Sequence, residues 1–137
     1  MKKLLLLSAF VFLFVLAACG GDDNGVNYPV SYFNAEVTSS STSGNAVTLT
    51  IESEGFYPMI IDVTITNGQM TNFVVTEHRE SANWGGVLID DGEFIAQIIA
   101  NANTLSNVDA EAGVTATSEA LIDVARAAME HYKNYYE

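Results

Sequence analysis

The sequence predicts a single α+β domain, a small antiparallel β-sheet with two helices packed on one face. Three observations carry this. Two runs in the middle of the chain alternate apolar with polar residues, an Asn-Gly pair turns the second run into a hairpin, and the C-terminal segment places apolar side chains at helical spacing.

Taken in order, Gly20 to Asn27 (GGDDNGVN) is small, polar and acidic and reads as a flexible tether. Residues 28–38 (YPVSYFNAEVT) carry enough aromatics to belong to the fold as a first strand, and Ser39 to Asn45 (SSSTSGN) is a loop by composition. Val47, Leu49 and Ile51 alternate with Thr48, Thr50 and Glu52, and Ile61, Val63 and Ile65 alternate with Asp62, Thr64 and Thr66. Such alternation marks strands with one buried face. Asn67-Gly68 suits a type I′ turn, whose two central residues need positive φ. It leads into a strand from Met70 to His78 with Phe73 and Val75 facing the core.

Ser81 to Gly86 (SANWGG) reads as a loop. Asp90-Asp91-Gly92 opens a helix with Phe94, Ile95, Ile98 and Ile99 on one face, where a carboxylate can cap unpaired N–H groups. The Asn-rich stretch from Asn101 to Asn107 ends it. In the last helix Leu121, Val124, Ala125, Ala128, Met129 and Tyr132 form a stripe for packing on a sheet, while Glu119, Asp123, Glu130 and Lys133 fall off it.

The N-terminus is of a different kind. Lys2-Lys3 precede an apolar run from Leu4 to Leu16 broken only by Ser8, the pattern of a secretory signal. The run is shorter than the about 20 residues that span a membrane. It ends in Leu16-Ala17-Ala18-Cys19, which resembles the lipobox of bacterial lipoproteins. That resemblance implies cleavage before Cys19, a diacylglyceryl group on its sulfur, and a place on the extracytoplasmic face of the cell membrane. Two acyl chains suffice for stable anchoring. The rival, an ordinary signal with a chance cysteine, has against it that the chain's one cysteine falls at the lipobox position. The expected organisation is a signal peptide at 1–18, a lipidated cysteine and tether at 19–27, and one domain at 28–137.

Composition narrows the partners. Removing residues 1–18 of the 137 leaves 119 residues with three basic side chains, Arg79, Arg126 and Lys133, against 17 acidic ones, a formal net charge of −14. Duplex nucleic acid needs several Lys or Arg contacts to phosphate, so it is excluded as a partner. Adsorption onto anionic head groups is disfavoured too, leaving the lipid as the membrane anchor. With Cys19 acylated no thiol remains for a disulfide or zinc site.

One segment carries chemistry. Asp109-Ala110-Glu111-Ala112-Gly113-Val114-Thr115-Ala116-Thr117-Ser118 is a small-residue turn followed by three hydroxyls and a helix start. Gly113 lets the backbone approach closely or take positive φ. A helix N-terminus offers unpaired N–H groups and a positive dipole to an anion, such as a phosphate on Thr115. The bland alternative is a plain N-cap in which Thr117 or Ser118 caps and Glu119 favours the dipole.

Residues 55–118 resemble the FMN-binding domain family, found in subunits of the sodium-translocating NADH:quinone reductase and related electron-transfer complexes. The family's signature, D-x-x-[ST]-G-A-[TS]-x-T-S opening a helix, is matched at Asp109, Gly113, Thr115, Thr117 and Ser118. Gly55-Phe56-Tyr57 looks like its glycine-aromatic start, and Glu77-His78-Arg79-Glu80-Ser81 like its E-H-x-E-T. The resemblance implies FMN as cofactor, joined through its phosphate to Thr115 by a separate flavin transferase. It places cofactor binding at Gly113, Val114, Thr115, Ala116, Thr117 and Ser118, with Glu80 of the E-H-x-E-T match beside them; Trp84 joins the candidates as a loop tryptophan. Two positions depart from the signature: Ala112 stands for Ser/Thr and Val114 for Ala. They leave covalent attachment open.

Other residues have paired readings. Trp84 either stacks on a flavin ring or plugs the open end of the sheet. His78 is a proton relay or, more simply, a strand-end histidine paired with Glu77 or Glu80. Arg79 steadies the flavin or its phosphate, or makes a surface salt bridge to the same carboxylates. His131, late in the last helix, receives no function, and Tyr132, Tyr135 and Tyr136 read as packing. The expected role is a lipid-anchored flavoprotein that relays electrons from a membrane redox donor to an external acceptor and works as a carrier more than as a stand-alone enzyme. The rivals are a flavin-dependent reductase component and a flavin-free binding lipoprotein that keeps the scaffold.

Overall fold

The computed structural model describes residues 25–137 apart from residue 106. The expected signal peptide, Cys19 and most of the tether lie outside the described residues. Five strands, β1 (Val30–Tyr32), β2 (Ala35–Ser43), β3 (Ala46–Glu54), β4 (Pro58–Thr66) and β5 (Gln69–Glu77), form one antiparallel meander in the order β1-β2-β3-β4-β5. Three helices follow among the described residues: α1 (Gly85–Asp91), α2 (Glu93–Ala100) and α3 (Thr115–Tyr135). The α+β class and the one-sided cover hold, with α3 against β1 to β4 and α2 against β5. The short α1 makes a third helix where two were expected.

Register follows the hydrophobic pattern. Val47, Leu49 and Ile51 of β3 stand opposite Ile65, Val63 and Ile61 of β4, and all six are buried. A slip of one residue would turn all of them to solvent, so the pairing is strongly specified. Asn67 and Gly68 have φ of 53° and 82°, the two left-handed conformations that the type I′ turn requires. Leu121, Val124, Ala125 and Ala128 of α3 are fully buried, and its small side chains bring the helix close onto the sheet.

β5 is less regular. Its pairing with β4 shifts between Ile60 and Ile61 and again between Thr64 and Ile65. Each shift sets an extra β5 residue against β4, which bends and twists the strand. The second explains why Met70 and Phe73, three apart, are both buried. The N–H of Phe73 is taken by the adjacent Asn72 Oδ1 at 3.1 Å.

Three expectations are corrected. Ser39 to Ser43 is not loop but the second half of β2, paired with Ala46 to Thr50, and only Gly44 and Asn45 make the turn. A bulge between Val37 and Ser39 breaks the alternation and carries Ser40 inward, so the backbone ladder decides here and hydrophobicity gives no cue. Residues 28–38 hold two elements, β1 and the start of β2. Asp90 and Asp91 end α1 rather than cap α2; Gly92 separates the helices, and Glu93 is the acidic group in the first turn of α2. The Asn101 side chain does end α2, donating to Gln97 O at 2.9 Å.

His131, to which the sequence assigns no function, is a core residue. It is fully buried, with Nε2 3.0 Å from Tyr28 Oη and Nδ1 3.0 Å from Tyr32 Oη. Tyr28 donates to Ser40 Oγ at 2.9 Å, and Ser40 Oγ lies 2.7 Å from Tyr136 Oη. Tyr135 packs on the imidazole with ring centres 4.7 Å apart. This network ties the start of the domain to the end of α3. Burial raises the Tyr32 phenol above its ordinary value, with the Asn134 side chain opposing, so Tyr32 stays neutral.

Candidate functional site

The site lies at the sheet end where β3 turns into β4 and where α1 and α3 begin. Its centre is Glu80. The carboxylate is buried, and Oε1 accepts N–H bonds from Phe56 at 3.2 Å and Tyr57 at 3.5 Å. Those bonds hold the Gly55–Tyr57 turn against the residues that follow β5.

Two glycines make room for this contact. A Cβ on Gly85 would stand 2.5 Å from Thr117 Oγ1 and 3.0 Å from Glu80 Oε2. A Cβ on Gly55 would stand 2.6 Å from Glu80 Oε1 and 3.1 Å from Thr117 Cα. Glu80 and Thr117 are therefore clasped between two glycines that no other residue could replace without displacement. Thr117 is fully buried, and its Oγ1 has no hydrogen-bond partner among the described residues. Such an orphan is rare in a folded protein and marks a functional or strained place.

The signature segment runs into α3 earlier than a capping reading allows. The helix begins at Thr115, so Thr117 and Ser118 lie inside it and neither caps it. Ser118 Oγ accepts the Glu111 N–H at 2.9 Å and lies within bonding reach of the Val114 and Thr115 carbonyls, at 3.0 and 3.1 Å. That fixes the preceding turn on the helix. Gly113 has φ 87°. No side chain caps α3, and its first turn holds no acidic residue. The dipole and unpaired amides at this N-terminus are thus open to an anion. Thr115 is exposed, the first residue of the helix, and its hydroxyl makes no hydrogen bond among the described residues.

Beside it is a cavity of about 300 Å³ walled by Phe56, Tyr57 and Trp84, with Glu80, Gly85 and Gly113 at its base. The three aromatics are 68%, 51% and 61% exposed, unusual for side chains of this size. Trp84 therefore does not plug the sheet. Its ring reaches over Gly113, with Cζ3 3.9 Å from where a Cβ there would sit.

Of the expected site residues, Gly113, Glu80 and Trp84 line the cavity. Thr117 closes the space behind Glu80 and Gly85, and Val114, Thr115, Ala116 and Ser118 form the helix start and its brace. His78 and Arg79 are not brought in; they line a separate cavity. Their simple readings also fail, since neither makes an ion pair among the described residues and His78 Nδ1 is buried without a partner. Sequence reasoning passed over Phe56 and Tyr57 as cavity walls and Gly55 and Gly85 as the clasp. The aromatic pair after a glycine was the available cue for the first; nothing local announces the second.

Comparison with known proteins settles the family. Residues 55–130, more than half of the chain, match the model of the FMN-binding domain. The chain belongs to that family. No curated protein and no solved structure matches it. The match indicates FMN as the cofactor and a flavin-binding role in electron transfer. The local chemistry fits that group: an uncapped helix N-terminus suits its phosphate, and exposed aromatic faces suit a planar ring system. No helix of the described residues is long and apolar enough to cross a membrane.

Proposed function

We propose that this FMN-binding domain is a lipid-anchored electron carrier on the extracytoplasmic face of the membrane, loaded with FMN through a phosphoester to Thr115. The observation that carries the reading is the exposed, unbonded Thr115 hydroxyl on an uncapped helix N-terminus beside the aromatic cavity. A modifying enzyme needs its target hydroxyl accessible, and Thr115 is. Thr117, two residues on, is sealed in.

The residues divide the work. Thr115 Oγ would form the ester with the flavin phosphate, giving up its proton as a flavin transferase releases the remainder of the flavin donor. The α3 amides and dipole would steady the phosphate charge. Phe56, Tyr57 and Trp84 would hold the ring, and Glu80 keeps two of them in place through its bonds to their turn. Bound flavin supplies one- and two-electron chemistry that the side chains lack, while the protein sets its access and potential. A covalent bond suits a protein with few cations in a place where a released cofactor would be lost. Cys19 supplies the anchor, a membrane redox component donates, and an external acceptor receives.

Intact mass tests this on protein exported with and without a flavin transferase. The expected result is a gain of one FMN less one water that Thr115→Ala abolishes and Thr115→Ser keeps. A yellow protein without the mass gain would leave FMN held by the cavity alone and place the cause at Ala112 or Val114; a colourless one would favour the flavin-free binding module.

A further inference from the structure

A second cavity, of about 820 Å³, opens on the other side of Tyr57, at the end of β3, β4 and β5. Its volume falls among small-molecule sites. Glu52 and Ile60, whose strand neighbours Ile51 and Ile61 are buried, place it toward the face of the sheet that the helices leave uncovered. Tyr57 lines both this cavity and the one assigned above to flavin.

Arg79, one of three basic residues after Lys3 in a chain with 17 acidic ones, lines this cavity and makes no ion pair among the described residues. Next to it His78 keeps a buried Nδ1 with no hydrogen bond. An arginine with carboxylates at hand and no ion pair is available to an outside anion, and its planar fork suits a carboxylate. Ile60 gives an apolar wall, and the Tyr57 ring gives a face for a flat body. Glu52 and Glu77 also line the cavity; their charges work against any anion, so only a group placed directly on Arg79 is favoured and a second negative group is opposed more strongly.

We infer that this cavity binds a small planar monocarboxylate, held by Arg79 and laid against Tyr57. On the flavin reading, the occupant sits one residue away from the flavin cavity, a place for the small molecule with which the flavin exchanges electrons.

Benzoate is the probe, added to the full-length chain made without a flavin transferase and followed by amide chemical shifts. Saturable binding is expected, with the shifts centred on Tyr57, Met59, Ile60 and Glu77 to Arg79. Arg79→Gln, an exposed substitution, should weaken binding about tenfold or more, the order of a lost charge-assisted hydrogen bond. Benzamide and phthalate should bind at least as much more weakly. No saturation in the millimolar range, shifts centred on Arg126 or Lys133 instead, or equal affinity for benzamide or for the Arg79→Gln chain would overturn the site. Because flavin plays no part in this titration, failed FMN loading leaves it standing, and its failure leaves Thr115 attachment untouched. On FMN-loaded protein, benzoate should alter flavin absorption in the wild type and not in Arg79→Gln; intact binding with no such change would overturn the adjacency.

Discussion

The two ends of α3 are built on opposite principles. At its C-terminal end His131 is sealed among tyrosines with both ring nitrogens bonded, and Ser40 links Tyr28 to Tyr136. At its N-terminal end, roughly 24 Å away at 1.5 Å per residue, Thr117 Oγ1 is buried without a partner, the helix is uncapped and three aromatics stand in solvent. One end spends its polar groups on holding the fold, and the other leaves a buried hydroxyl and the first amides of the helix without side-chain partners among the described residues. Satisfied polar groups point to scaffold, and orphaned ones to function.

The comparison can be broken at each end. The largest effect is expected at the scaffold end. His131→Leu strips one bond from each of the half-buried Tyr28 and Tyr32 hydroxyls and sets an apolar side chain in the buried polar network, so it should cost about 3 kcal/mol. Thermal or urea unfolding would read the loss, and FMN uptake by the protein that remains folded should be normal. Gly85→Ala comes next. The added methyl presses on Thr117 Oγ1 and Glu80 Oε2 and should cost about 1–3 kcal/mol as overpacking, and unlike His131→Leu it should also lower FMN loading by the transferase, measured by absorbance of the protein after gel filtration. The smallest effect sharpens the contrast by its sign. Thr117→Val removes a hydroxyl that bonds to nothing and should leave the flavin-free protein equally stable or more so, by up to about 1 kcal/mol. A clear destabilisation would show that Thr117 belongs to the scaffold.

The sequence showed best what depends on local period. β3, β4, the Asn67-Gly68 turn and the stripe on α3 each obey one periodicity over enough residues to be read directly. The second half of β2 was hidden because a bulge at Val37 and Ser39 breaks the alternation in a run of serines and threonines. α1 was hidden because it starts on Gly85-Gly86, poor helix formers that are there for closeness. The site was legible as a motif and not as a shape. Thr115 and Gly113 announce themselves within ten residues, whereas the clasp joins positions 55, 80, 85 and 117, whose meeting only the fold creates. His131 looked idle because its tyrosine partners lie at positions 28 and 32, about a hundred residues earlier.

The sheet's margins have a bearing on how the molecule tolerates crowding. β1 is three residues long, and β5 is bulged twice, with the Phe73 amide already occupied by Asn72. Unpaired margins of this kind are the usual template on which neighbouring chains add strands. Here neither presents a straight ladder, so copies at high local concentration should diffuse past one another as separate bodies and resist growing into fibrils.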